Sequence, residues 1–119
     1  GNRGRDIRII RTRDELMELP WVMEENWPEG LNWLRKNGLD PDRLRVTYFA
    51  NGDLAASAAQ EGYGLFIETV VLAEQDQRSG RLRIVFDPKE DLPAYFIVTP
   101  PGPQRAAART FVQWLKSSL

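Results

Sequence analysis

The chain has 119 residues, 42% of them apolar and 28% charged, with a formal net charge of −1, the proportions of one water-soluble globular domain. It contains neither cysteine nor histidine, which removes disulfides, thiolate metal sites, Ser-His-Asp and Cys-His triads and most zinc sites together. An enzyme built on it would have to work with carboxylates, Lys, Ser or Tyr, and no apolar run approaches the ~20 residues that a membrane-spanning helix needs.

The charge is uneven along the chain. Residues 1–13 carry Arg3, Arg5, Arg8, Arg11 and Arg13 against Asp6, a local charge of +4 that leaves −5 for residues 14–119. A basic arm is attracted to phosphate, but the plainer reading is a solvated, frayed arm or linker over residues 1–13. The remaining body is too acidic for a nucleic-acid surface, and its aromatics are not interleaved with Arg or Lys. Gly1 to Arg13 also lacks the apolar core of a signal peptide.

Thr12-Arg13-Asp14-Glu15 fits a capping box, in which the Thr hydroxyl and the Glu carboxylate satisfy each other's orphan amides. A short helix is expected to run on to about Leu19, ended by Pro20. Trp21-Val22-Met23 reads as a buried strand leading into Glu24-Glu25-Asn26. Pro28 suits the first turn of a second helix, with Leu31 and Leu34 as its apolar stripe, Trp27 nearby and Gly38 as its left-handed stop. Asp40-Pro41-Asp42 is a turn. Val46–Phe49 has the period of a strand.

Asn51-Gly52-Asp53 would mark a hairpin between two strands. The next residues, however, are Ala-rich and close at Gly62, so a helix capped by Asn51 or Asp53 is the better reading. Gly64–Ile67 is a short strand, and Thr69 caps another helix through Val70-Val71-Leu72 to about Gln77, ended by Ser79-Gly80. Leu82–Phe86 is extended, Asp87–Pro93 a loop, Ala94–Thr99 a strand and Pro100-Pro101-Gly102-Pro103 a hard break. A final helix would place Ala107, Ala108, Phe111, Trp114 and Leu115 on one face. Short, almost continuously apolar strands alternating with helices point to an α/β fold, with a mostly parallel sheet and helices on both faces.

Several residues invite a chemical role. Gly62-x-Gly64 is out of order for a dinucleotide loop, because it leaves a helix and enters a strand rather than the reverse; a helix stop and close packing explain it better. Glu24-Glu25 and Glu90-Asp91 are adjacent carboxylates whose side chains diverge on a strand, so solvated acids are the favoured reading, although Glu24 or Glu25 at a strand end could face a cleft. Trp21 and Trp114 sit on apolar faces; of the four tryptophans only Trp27, at a strand-to-helix junction, is placed to meet a ligand. Asn51-Gly52-Asp53 is the best site on physical grounds. In open α/β sheets ligands bind beyond the carboxyl ends of strands, where helix N-termini offer free amides. Asp53 competes there with an anion, which favours neutral or cationic ligands.

Taken in order, Asp14-Glu15-Leu16, Leu19-Pro20-Trp21-Val22, Trp33-Leu34, Gly38, Phe49-x-Asn51, the Ala-rich helix, Gly62-Tyr63-Gly64, Gly80-Arg81-Leu82, Ala94–Val98 with Pro101, and Phe111-Val112-Gln113-Trp114-Leu115 form a series. That series resembles the effector-binding region of LysR-type transcriptional regulators from about Ile9 to the C-terminus. The resemblance implies a periplasmic-binding-protein-like (type 2) fold, with a small-molecule effector held in a cleft between two subdomains. Residues 14–99 would be the second subdomain, and residues 100–119 would hold the helix that returns to the first. It further implies a bacterial, cytoplasmic regulator that is not an enzyme, carries no cofactor or metal, touches no membrane and is homo-oligomeric when whole. DNA would be reached only through a winged helix-turn-helix, which this chain is expected to lack.

The expected effector contacts are Asn51, Gly52, Asp53, Glu68 and Thr69, with Glu25 and Trp27 as outer candidates. Two positions depart from the family pattern: Glu68-Thr69 stands where Leu-Pro or Gly-Arg is common, and Asn51-Gly52-Asp53 where Ser or Thr prevails. Both would face the cleft, so the effector class is not carried over. Two other classes compete. A solute-binding protein of a transporter shares the fold, and a small α/β hydrolase would use carboxylate or Ser chemistry, though no Gly-x-Ser-x-Gly elbow is present. The terminal helix, without its first-subdomain partner, is expected to pack on this half or to expose an apolar face that promotes self-association.

Overall fold

The computed structural model describes residues 11–86, residue 88 and residues 93–101. The capping box forms as the sequence indicates: the Thr12 hydroxyl accepts from the Glu15 amide at 3.2 Å and Glu15 Oε1 accepts from the Thr12 amide at 2.9 Å. It opens α1 (Arg13–Glu18), which buries Leu16. The basic segment does not stay apart from the body at its end. Arg13 Nε donates to the Asn37 carbonyl at 2.7 Å, and the Arg11 amide donates to the Val85 carbonyl at 2.8 Å.

The first strand, β1 (Pro20–Glu24), comes directly after it. Helix α2 (Pro28–Lys36) starts on its proline, and Gly38 ends that region with φ +81. A single 3-10 turn (Pro41–Arg43) leads into β2 (Arg45–Phe49). Asn51 then caps α3 (Gly52–Gln60), its Oδ1 accepting from the Leu54 amide at 2.9 Å; the tripeptide starts a helix and not a hairpin. Gly62 lies just past that helix with φ +89. Strand β3 (Phe66–Thr69), helix α4 (Val70–Ser79), strand β4 (Arg83–Phe86) and strand β5 (Tyr95–Thr99) complete the described chain.

The strand expected over Gly64–Ile67 sits two residues later, and Gly64 shows why. A Cβ there would lie 2.9 Å from the Trp21 carbonyl carbon, so this residue is spent on a close backbone crossing before the strand begins. The Leu65 amide donates to the Pro20 carbonyl at 2.8 Å and the Val22 amide to the Leu65 carbonyl at 2.9 Å. That bridge runs parallel between Trp21 and Leu65 and joins two sheets: β1 paired in parallel with β2, and β5 paired antiparallel with both β3 and β4.

The expectation of a mostly parallel sheet is corrected here. The strands β1, β2, β3 and β4 point one way, but β5 lies between β3 and β4 and opposes both. The cause is length: eight residues, 87–94, separate β4 from β5, whereas a parallel return needs a crossover of a dozen or more.

Helices cover both faces. On one, α1 and α2 bring Leu16, Trp33 and Leu34 against Trp21, Met23, Ile67, Val85 and Ile97. On the other, α3 packs Ala58 and Ala59 over Val22, while α4 packs Ala73 over Ile84, Phe96 and Val98. The strand alternation is therefore intact, with apolar side chains on both sides. The Trp21 indole N–H finds the Leu16 carbonyl at 2.9 Å inside the core, which satisfies its polar end without water. Residues 1–10, the pair Glu90-Asp91 and the proposed final helix with Phe111 and Trp114 lie outside the described residues.

Candidate functional site

The carboxyl ends of β1, β2 and β3 share one edge of the sheet, and α3 and α4 both begin there. The loop after β1 is clamped to the end of β2, the Glu25 amide donating to the Phe49 carbonyl at 2.8 Å. Glu24 turns toward α3, its Oε1 3.2 Å from the position that a Cβ on Gly52 would occupy. Together with the Asn51 cap, this carboxylate occupies the electropositive start of α3. An external anion would meet Glu24 and the exposed Asp53 at the same place. Thr69, the N-cap of α4, makes no side-chain capping bond and is exposed at this edge. Leu54 in the first turn of α3, and Val71 and Leu72 in the first turn of α4, are exposed apolar residues beside it.

Next to this edge, on the face covered by α2, lies a cavity of about 480 Å³. Trp27, Leu31 and Tyr48 form its apolar lining, and Glu25 and Arg35 bring opposite charges to it. Asn26 and Asn32 also line it; Asn26 holds φ 56, a left-handed conformation that Asn tolerates better than most residues. Arg35 is steadied by a 3.1 Å hydrogen bond from Nη1 to Asn32 Oδ1. The Trp27 ring meets Tyr95 edge-on at 5.5 Å, and Tyr95 meets Trp33 in the same manner at 5.7 Å. Behind Trp27, its indole lies directly over Gly30 and leaves no room for a Cβ there.

Of the residues singled out from the sequence, Glu25 and Trp27 come together in the cavity, and Asn51, Gly52 and Asp53 come together at the start of α3. Thr69 ends the neighbouring strand. Glu68 does not join them. Successive strand residues face opposite ways, and Glu68 points beneath α4, where it is 7% exposed. Burial, then a hydrogen bond to Asp76 and the charge of Asp76, push its carboxyl up to about 8, with Arg81 pulling the other way.

Sequence reasoning missed Arg35, Asn32, Leu31, Asn26 and Tyr48 at the cavity. The signal was present in part: Trp27, Leu31 and Arg35 are four apart, the spacing of one helix face. Among the described residues no group of three or more His, Cys, Asp or Glu could hold a metal ion, and no helix is long and apolar enough to cross a membrane.

Residues 8–119 match the family described as the LysR substrate binding domain. Over 103 residues, 87% of this chain, the sequence is 42% identical to the AhcY transcriptional activator HvrB of Rhodobacter capsulatus, covering 35% of that protein. Over 108 residues, also 87% of this chain, it is 31% identical to the uncharacterized HTH-type transcriptional regulator y4mQ of Sinorhizobium fredii, covering 33% of it. The chain thus spans about a third of the length of the curated relatives it matches. No solved structure matches it.

Proposed function

The chain belongs to the LysR substrate binding domain family, and from that premise we propose that it forms one wall of the effector site of a LysR-type transcriptional regulator. In this reading the described residues are the second subdomain of a periplasmic-binding-protein-like domain, working in the cytoplasm. The edge bearing Asn51, Gly52, Asp53 and Thr69 faces the other subdomain across the cleft, and the Trp27 cavity extends the site along α2. The exposed apolar residues Leu54, Val71 and Leu72 suit contact with that second wall or with the effector. Binding is the role, without turnover: the effector bridges two subdomains and shifts a pre-existing equilibrium of a DNA-bound oligomer, whose DNA contacts belong to a helix-turn-helix domain. One relative is named as a transcriptional activator, and by that likeness we read the whole regulator as an activator.

The observation that carries this reading is the convergence of the strand-end residues, within a family match covering residues 8–119. Glu24, already seated on the start of α3, and Asp53 turn the site toward a neutral or cationic effector. In the intact regulator, Asn51→Ala and Thr69→Val should each weaken the effector response about tenfold, the value of one or two lost hydrogen bonds. Unchanged response curves for both variants would remove the strand-end assignment.

A further inference from the structure

Gly30 sits inside α2 without a backbone reason to be glycine. Its φ is outside the left-handed range, and glycine at such a helix position costs about 1 kcal/mol relative to alanine. The reason is Trp27: a Cβ on Gly30 would fall 2.7 Å from the indole Cδ2 and closer still to Cε3 and Cζ3. The ring thus rests on the bare backbone of the helix, and Tyr95 meets it edge-on at 5.5 Å. Seated in this way, Trp27 forms a wall of the cavity of about 480 Å³ together with Leu31 and Tyr48. Tyr48 is 46% exposed, so this apolar lining is open to an incoming molecule.

Glu25, ahead of the first turn of α2, and Arg35, in its last turn, line the same cavity. The backbone amide of Glu25 is held by the Phe49 carbonyl at 2.8 Å, but its carboxylate has no hydrogen bond or ion pair among the described residues. Arg35 spends one donor, Nη1, on Asn32 Oδ1 at 3.1 Å, which leaves most of the five N–H groups of its guanidinium unused. No ion pair joins Arg35 to Glu25 or to another described residue. Two opposite charges therefore share one cavity without neutralising each other.

We propose that the Trp27 cavity takes a small amphoteric molecule, with an amine on the Glu25 carboxylate, an acid group on Arg35 and a flat apolar body between them against Trp27, Leu31 and Tyr48. A ligand with one charge gains from one of these side chains and is repelled by the other. An uncharged ligand dehydrates both and pairs neither. A molecule carrying both signs pairs both, and the unused edge of the guanidinium suits a carboxylate. Its zero net charge also agrees with the acidic strand-end edge, where Glu24 and Asp53 oppose an anion. Gly30 is the positioning residue, because its missing side chain lets the indole lie back as a wall. The cavity's link to regulation rests on the function proposed above; its ligand class does not.

The test is an NMR titration of the whole chain near neutral pH with para-aminomethylbenzoate, which carries both charges, and with para-methylbenzoate and para-methylbenzylamine, which carry one each. The expected result is movement of the Trp27 indole N–H and of the backbone amides of Glu25, Leu31, Asn32, Arg35 and Tyr48. The doubly charged probe should bind about tenfold tighter than either of the others. Arg35→Gln should bring it down to the affinity of para-methylbenzylamine, and Glu25→Gln to that of para-methylbenzoate. Gly30→Ala should weaken all three probes alike and keep their order. Equal affinities of the three probes overturn the proposal, as do signals that stay still at these residues, charge variants that keep the parent's order, or a Gly30→Ala chain that binds as the parent does. Shifts at the same amides that grow with protein concentration alone assign this face to a second copy of the chain and also overturn it. The Asn51 and Thr69 variants bear on the effector response and not on these titrations, so either assignment can fail while the other stands.

Discussion

Glu24, at the end of β1, sets its Oε1 3.2 Å from the point where Gly52 would carry a Cβ, so the first strand and the third helix meet through a carboxylate and a glycine. Such a charge beside a helix N-terminus contributes about 0.3–1 kcal/mol. Glu24→Gln should therefore lower the melting temperature by about 1–4 °C. It should also relieve the repulsion of anions, so that sulfate raises the melting temperature of the variant more than that of the parent. Equal sulfate effects in a thermal melt would show that Glu24 does not guard this helix start.

Asn51 supports the same helix differently. Its Oδ1 accepts from the Leu54 amide at 2.9 Å, and removing such a cap costs about 0.5–2 kcal/mol. Urea unfolding of Asn51→Ala should show that loss at an unchanged slope, whereas Asn51→Ser should recover most of it.

Gly64 is required by space. A Cβ there would press on the Trp21 backbone at 2.9 Å, and backbone cannot swing aside as a side-chain tip can. Gly64→Ala is expected to destabilise the chain by roughly 1–3 kcal/mol. Gly52→Ala meets only the mobile end of Glu24 and should stay within about 0.5 kcal/mol of the parent. Chemical denaturation of the two variants side by side checks the contrast.

Glu68 gives stability a pH dependence of unusual sign. Its folded-state carboxyl sits near 8, against an ordinary value of 4.5. Between those two values the folded chain holds a proton that the unfolded chain has released, so stability falls as pH rises through the window and levels off above it. Below the window both states are protonated and the penalty vanishes. Glu68→Gln should be more stable than the parent by roughly 1–3 kcal/mol at about pH 8 and nearly equal to it at about pH 4. Parallel denaturation curves at the two pH values decide it, and a variant weaker than the parent at both would refute the account.

Much of the fold was legible because local chemistry announced it. The Thr12–Glu15 box, the Asn51 cap and the Gly62 stop each come from a hydrogen bond or a backbone angle that only a few residues provide. The direction of β5 was hidden behind the apolar look of its residues, which suits a parallel or an antiparallel centre strand equally; the eight-residue connection before it was the better clue. Glu68 was misplaced for a related reason. The strand starts two residues later than its glycine suggested, and alternation then carries Glu68 to the α4 face while Thr69 ends the strand. The cavity needed tertiary contact: nothing local brings Tyr48 of β2 to Trp27 and Leu31.

The position of β5 has a consequence for how the sheet is assembled during synthesis. Strands β3 and β4 are not neighbours in the sheet and are connected only through β5, which emerges after both. Before Tyr95–Thr99 leaves the ribosome, the β1, β2 and β3 segments with α2 and α3 have partners to condense with, while Ile84 and Val85 have none on that side. A nascent chain halted before residue 95 would thus hold an open sheet edge and a loosely seated α4, a form exposed to chaperones and proteases. Among the described residues β5 inserts between two neighbours rather than adding to a rim, so its arrival closes a gap and ties β4 to the rest of the sheet.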